Sequence, residues 1–145
     1  MTAPQGPVEV FFVDVSINSG EPKSMVLTGI YKGTLPCADC SGLRTELRLY
    51  AKGRFDFTDA IYVSTRTYLR GLGEDQSFTD RGQWAVLKGD AVDPNATVYA
   101  LDPDRPAQVQ YLLLQPDGAG LTQLDRKMMP IDAPASVDLT LKRVP

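Results

Sequence analysis

A chain of 145 residues fits one domain, long enough to bury roughly 70% of its unfolded surface without a disulfide or a metal to hold it. Fifteen basic against 18 acidic residues leave a net charge of −3 with both signs mixed along the chain, so no basic stripe is offered to nucleic acid or to an anionic membrane surface. There is no histidine, which removes Ser-His-Asp and Cys-His catalysis and the commonest nitrogen ligand for metals.

Period-two hydrophobic patterns separated by Gly, Pro, Asp and Asn run through the chain. Residues 8–17 put Phe11, Val13, Val15 and Ile17 on one face of a first candidate strand, followed by a loop over 20–24. A second strand is expected at 26–35, ended by Pro36. The segment 43–50 alternates most cleanly: Leu43, Thr45, Leu47 and Leu49 on one side, Arg44, Glu46, Arg48 and Tyr50 on the other. Ala51-Lys52-Gly53 turns the chain into a candidate strand at 54–58, where Phe55 and Phe57 share a face. Further strands are predicted at 61–70, 82–87, 97–101, 108–114, 121–126 and 137–144, and Pro116-Asp117-Gly118-Ala119-Gly120 is a hairpin loop with glycines available for positive φ. No segment carries a helical stripe. Eight to ten short strands joined by short loops imply an all-β fold, a small antiparallel meander barrel of about eight strands. Residues 1–24 are expected to be an N-terminal extension with an extra strand, and 25–145 the barrel domain.

The longest apolar run, near 10–15, contains Asp14 and is too short to span a bilayer. The first residues show neither a signal-peptide pattern nor a cysteine to carry a lipid, so membrane contact is expected only through an anchor outside these residues.

Chemistry concentrates in Leu35-Pro36-Cys37-Ala38-Asp39-Cys40-Ser41-Gly42. Two cysteines three positions apart in a turn serve as a redox dithiol, a local disulfide or a soft-metal clamp. A four-sulfur zinc site would need a second pair, and the chain has only two cysteines. Asp39 between the sulfurs disfavours the thiolate of a thioredoxin-type centre, whereas two thiolates suffice for Cu(I). A plain disulfide bracing the turn and a pair of inert thiols stay open beside these.

Tyr31-Lys32-Gly33-Thr34-Leu35-Pro36-Cys37-Ala38-Asp39-Cys40-Ser41-Gly42-Leu43, followed by Thr45-Glu46-Leu47-Arg48-Leu49, resembles the N-terminal domain of the NlpE-type copper-resistance lipoproteins. Gly53, Gly82-Gln83-Trp84, Leu121-Thr122-Gln123-Leu124-Asp125-Arg126 and Pro130-Ile131 follow in the family's order, and the resemblance covers about residues 28–143. It implies a lipocalin-like barrel in the bacterial envelope, anchored to the outer membrane by an N-terminal lipid and facing the periplasm. It also implies links to copper tolerance and to envelope-stress signalling through a sensor kinase. At Cys37 and Cys40 it implies a disulfide and a suggested copper site. The family's lipid-bearing cysteine and the second, C-terminal domain of some members have no counterpart in these residues, and the 8–17 strand has none in the family.

Met128 and Met129 are soft thioethers able to assist Cu(I), although neighbours in an extended chain point to opposite faces, and the alternative is gap-filling in the core. Asp93, Asp102 and Asp104 lack calcium-loop spacing and read as solvated loop acids. Asp125 and Arg126 read as an ion pair or turn anchor, and Trp84 as core. Two functions follow: a non-enzymatic envelope module that senses metal or stress through the Cys37/Cys40 turn, partnered by an envelope sensor protein, or a lipocalin-like carrier of a small apolar ligand with a purely structural disulfide.

Overall fold

The computed structural model describes residues 25–53, 56–70, 73–134 and 137–145, so the extension 1–24 and its candidate strand 8–17 lie outside the described residues. Eight strands follow one another: β1 (Val26–Leu35), β2 (Gly42–Ala51), β3 (Ile61–Leu69), β4 (Gln76–Lys88), β5 (Thr97–Leu101), β6 (Gln110–Leu114), β7 (Gly120–Gln123) and β8 (Thr140–Arg143). Each pairs antiparallel with the next, and β8 returns to β1 through Tyr31↔Arg143 and Lys32↔Lys142, which closes an all-β meander barrel. Closure leaves no free edge where it holds. It also demands a close approach: a Cβ on Gly33 would come 2.7 Å from the Thr140 carbonyl oxygen of β8, so only glycine fits there.

The alternation of β2 sets the inside. Thr45, Leu47 and Leu49 are buried while Arg44 is exposed, and Leu47 and Leu49 join Tyr31, Trp84, Leu101, Leu112, Leu121 and Leu141 in one core. Tyr50, expected on the solvent side with Arg48, is instead buried. One end of the barrel is plugged by Trp84, whose Nε1–H donates to the Tyr50 carbonyl at 2.9 Å while Phe57 and Tyr99 pack against its ring at centroid distances of 5.3 and 5.1 Å.

Four of the expected strands differ most from the structure. The described part of 54–58 holds no strand: Asp56 makes only an isolated bridge to Gly53, and its carboxylate accepts the Thr58 N–H at 3.1 Å, a local bond that competes with ladder pairing. The strand expected at 121–126 stops at Gln123, where Asp125 Oδ1 collects the N–H groups of Lys127 and Met129 and Met128 turns at φ 60°. The strand expected at 137–144 is confined to Thr140–Arg143. The strand expected at 82–87 begins much earlier, at Gln76. Its first half, Gln-Ser-Phe-Thr-Asp-Arg, is exposed on both faces and shows no alternation, because it pairs with β3 and not with β5. β5 ends at Leu101, opposite Trp84, and the chain turns away at Asp102 (φ 55°). The outer half of the β3–β4 hairpin therefore stands beyond the closed wall. In a meander the β1–β2, β3–β4, β5–β6 and β7–β8 connections share one end, and that end carries the two sites described next.

Candidate functional site: a disulfide turn and an arginine-lined cleft

Pro36 cannot extend the ladder beyond Leu35, and the chain crosses to β2 through Cys37–Cys40, joined by a disulfide with Cα atoms 5.4 Å apart. The turn is fixed at its far side by the Ser41 N–H, which donates to the Leu69 carbonyl at the tip of β3 at 2.8 Å. Both cysteines are half-buried and Asp39 is exposed between them. The Asp39 Oδ1 lies 3.6 Å from the Cys37 Sγ, and the two sulfurs and this carboxylate fall within 4.8 Å of one another. A shallow cleft of about 230 Å³ separates the turn from the hairpin, bounded by Asp39 and Cys40 on one side and Tyr68, Arg70, Gln76 and Phe78 on the other. Phe78 is half exposed and stands edge-on to Tyr68 at 5.6 Å, so the hairpin presents an aromatic face to the disulfide.

As a disulfide the sulfurs hold no metal. Reduced, the turn offers two thiolates and a carboxylate oxygen, a donor set that suits a soft ion with low coordination number. Met128 and Met129 belong to the β7–β8 connection, where the Met128 carbonyl accepts from Ala91 N–H at 3.1 Å and the Asp125 turn holds both residues. Neither fills the core, since Met128 is half-buried in a turn and Met129 is 44% exposed. Asp125 and Arg126 do not pair with each other. Asp125 anchors its own turn, and Arg126 donates to the carbonyls of Pro106 and Ala107 at 3.4 and 2.8 Å, tying the β7–β8 and β5–β6 connections together.

A second, larger cavity, of about 460 Å³, lies between the projecting hairpin and the β5–β6 connection. Arg66 and Asp80 pair across the hairpin, and Asp102 accepts the Tyr62 hydroxyl at 2.7 Å. Burial first, and the Asp102 acceptor second, push the Tyr62 hydroxyl far above the ordinary tyrosine range, so it remains a donor. Gly82 is what admits this pair: a Cβ there would overlap Asp102 Oδ1 and come 2.8 Å from the Tyr62 ring. Asp102, read from the sequence as a solvated loop acid, is thus a structural acceptor. Spacing gave no signal of it, because its partner is 40 residues away. On the outer face of β1 and β2, Glu46 lies 2.6 Å from Arg48 and 3.4 Å from Lys32.

Residues 31–134 match the family described as the NlpE N-terminal domain, a span that covers most of the chain. The chain belongs to the NlpE N-terminal-domain family. A 55-residue stretch is 38% identical to Lipoprotein NlpE of Escherichia coli K12; it makes up 38% of this chain but 20% of that protein, so the chain spans about a fifth of its curated relative. Among solved structures, a protein described as a lipoprotein from Shewanella oneidensis superposes with a TM-score of 0.51 at 20% identity, over 79% of this chain and 86% of the other. That likeness shows a shared fold. The crystal structure of the Cpx pathway activator NlpE from Escherichia coli matches at 27% identity with a TM-score of 0.47, over 73% of this chain and 46% of that one. In this NlpE-type barrel the Cys-x-x-Cys turn is a disulfide at the open end, and Gly82-Gln83-Trp84 is the glycine that seats Tyr62–Asp102 together with the tryptophan that plugs the closed end.

Proposed function

We propose that this domain is a non-enzymatic bacterial envelope module for copper tolerance and envelope-stress sensing, in which the Cys37/Cys40 turn changes state. The observation that carries the reading is the placement of the disulfide. It sits in a turn at the open rim with Asp39 exposed beside it, and the core behind it is complete without it. A cross-link closing so short a loop stabilises the fold by about 2 kcal/mol at most, which points to redox or ligand chemistry as its use. In the oxidising envelope the turn is a disulfide. A dithiol reductant delivers two electrons and two protons, is itself oxidised to a disulfide, and leaves two thiols; Cu(I) then displaces both protons and is held by the two sulfurs. The full-length protein is proposed to face the periplasm on a lipid anchor, as the curated relative is a lipoprotein. An envelope sensor protein reads the turn and its aromatic neighbour, Phe78.

The carrier reading gains nothing from the barrel interior. Among the described residues, the space between inward-facing Leu47, Leu101, Leu112 and Leu141 at the open end is about 80 Å³, well below the roughly 300 Å³ at which ligand pockets begin.

Thiol labelling of protein isolated without reductant should find no reactive thiol, and two after reduction. Competition against a Cu(I) chelator should then show about one Cu(I) per reduced chain, none for the oxidised chain and none for Cys37→Ser. Equal Cu(I) affinity in the reduced wild type and in Cys37→Ser would remove copper from this turn.

A further inference from the structure

Four arginines, Arg66, Arg81, Arg105 and Arg126, line the 460 Å³ cavity between the β3–β4 hairpin and the β5–β6 connection, with two aspartates beside them among the described residues. Both aspartates are already engaged, Asp80 by Arg66 and Asp102 by the Tyr62 hydroxyl. Unlike scattered surface charges, these arginines converge on a concavity of ligand size. The folding of the chain places them: Arg66 and Arg81 come from the hairpin, Arg105 from the β5–β6 connection and Arg126 from the start of the β7–β8 connection. Arg126 is pre-oriented, because its guanidinium is held by the carbonyls of Pro106 and Ala107.

Arg66 supplies an independent observation. Its Nη2 reaches Asp80, but its Nε is buried without a hydrogen-bond partner in the protein. A buried donor left unpaired is costly. Arg66 and Ser64 also line the small interior cavity behind the large one, so the guanidinium stands at the junction of the two.

We propose that this cleft binds an oxyanion of phosphate size, carried as a phosphate ester, with Arg66, Arg105 and Arg126 as its cationic ligands and Ser64 and Gln110 as neutral ones. Guanidinium groups suit this chemistry because their planar forks bond two anion oxygens at once. A phosphate monoester and the diester of a phospholipid headgroup both present such oxygens to these forks. The site is separate from the disulfide turn and needs neither its redox state nor a metal.

The test uses the oxidised, full chain, with two probes: butyl phosphate in solution, followed by titration calorimetry at low salt, and sedimentation with phosphatidylglycerol vesicles. The variant is Arg105→Gln, an exposed residue whose backbone hydrogen bonds survive the change, and the control is Lys88→Gln. Lys88 is exposed at the far end of β4, so this control makes the same change in net charge outside the cleft. Saturable binding of butyl phosphate, weakened about tenfold or more in Arg105→Gln and unchanged in Lys88→Gln, supports a soluble phosphate monoester. Vesicle binding with the same dependence on Arg105, and no binding of butyl phosphate, supports a lipid headgroup. Absence of both, or equal losses in Arg105→Gln and Lys88→Gln, overturns the proposal.

Discussion

Replacing Gly82 by alanine adds one methyl group at the point where the barrel has no room for it. The new Cβ would overlap Asp102 Oδ1 and stand 2.8 Å from Tyr62 Cε2 and 3.1 Å from its hydroxyl oxygen. Asp102 has little freedom to retreat, since its backbone is already at φ 55° and its N–H is bonded to the Gln83 carbonyl at 2.8 Å. The carboxylate must therefore swing off the Tyr62 hydroxyl. A hydrogen bond to a charged acceptor contributes about 1.5–3 kcal/mol, and overpacking by one methyl costs about 1–3 kcal/mol. Because giving up the bond relieves part of the clash, the two do not add in full, and Gly82→Ala should destabilise the barrel by about 3 kcal/mol. Urea unfolding followed by Trp84 fluorescence measures this, in a double-mutant cycle with Tyr62→Phe. The bond can be lost only once, so Gly82→Ala should cost about 1.5 kcal/mol less in the Tyr62→Phe background. A Gly82→Ala protein within about 0.5 kcal/mol of wild type, or full additivity with Tyr62→Phe, would refute this account of the Gly-x-Trp glycine.

Two further outcomes follow from the same structure. Replacing both Cys37 and Cys40 by serine should lower unfolding free energy by about 2 kcal/mol at most and leave the barrel folded, as read by urea midpoint and circular dichroism; a chain unfolded at room temperature would give the turn a larger structural part than its rim position allows. Burial alone would raise the Glu46 carboxyl, but the bonds from Arg48 and Lys32 outweigh it and hold the group below its ordinary 4.5. A depressed folded value contributes stability that is present above the unfolded value and lost as pH falls below about 4.5. Glu46→Gln should therefore lose less stability than wild type between pH 7 and pH 3, and equal acid losses in the two proteins would show that the Lys32–Glu46–Arg48 group contributes nothing measurable.

Local pattern alone determined the class of fold. Clean alternation over 43–50, Pro36 and the Gly-rich loop at 116–120 marked strands and turns, because side chains on a strand alternate faces and turns demand particular backbone angles. The Cys37–Cys40 turn was legible for the same reason: all of its chemistry lies within four residues. What the pattern missed was structure whose cause is distant. The polar half of β4 carries no alternation because neither of its faces meets the core, and only its pairing with β3 makes it a strand. Residues 54–58 have a strand's composition, yet over 56–58 the isolated Gly53↔Asp56 bridge and the local Asp56–Thr58 bond stand in place of a ladder. Tyr62 and Asp102 become partners, and arginines from β3, β4 and two connections come to share one cleft, only because β5 ends early and leaves the hairpin standing free. Charges spread along a sequence read as a solvated surface. Whether they converge is decided by barrel closure and register, and these are set by the whole chain at once.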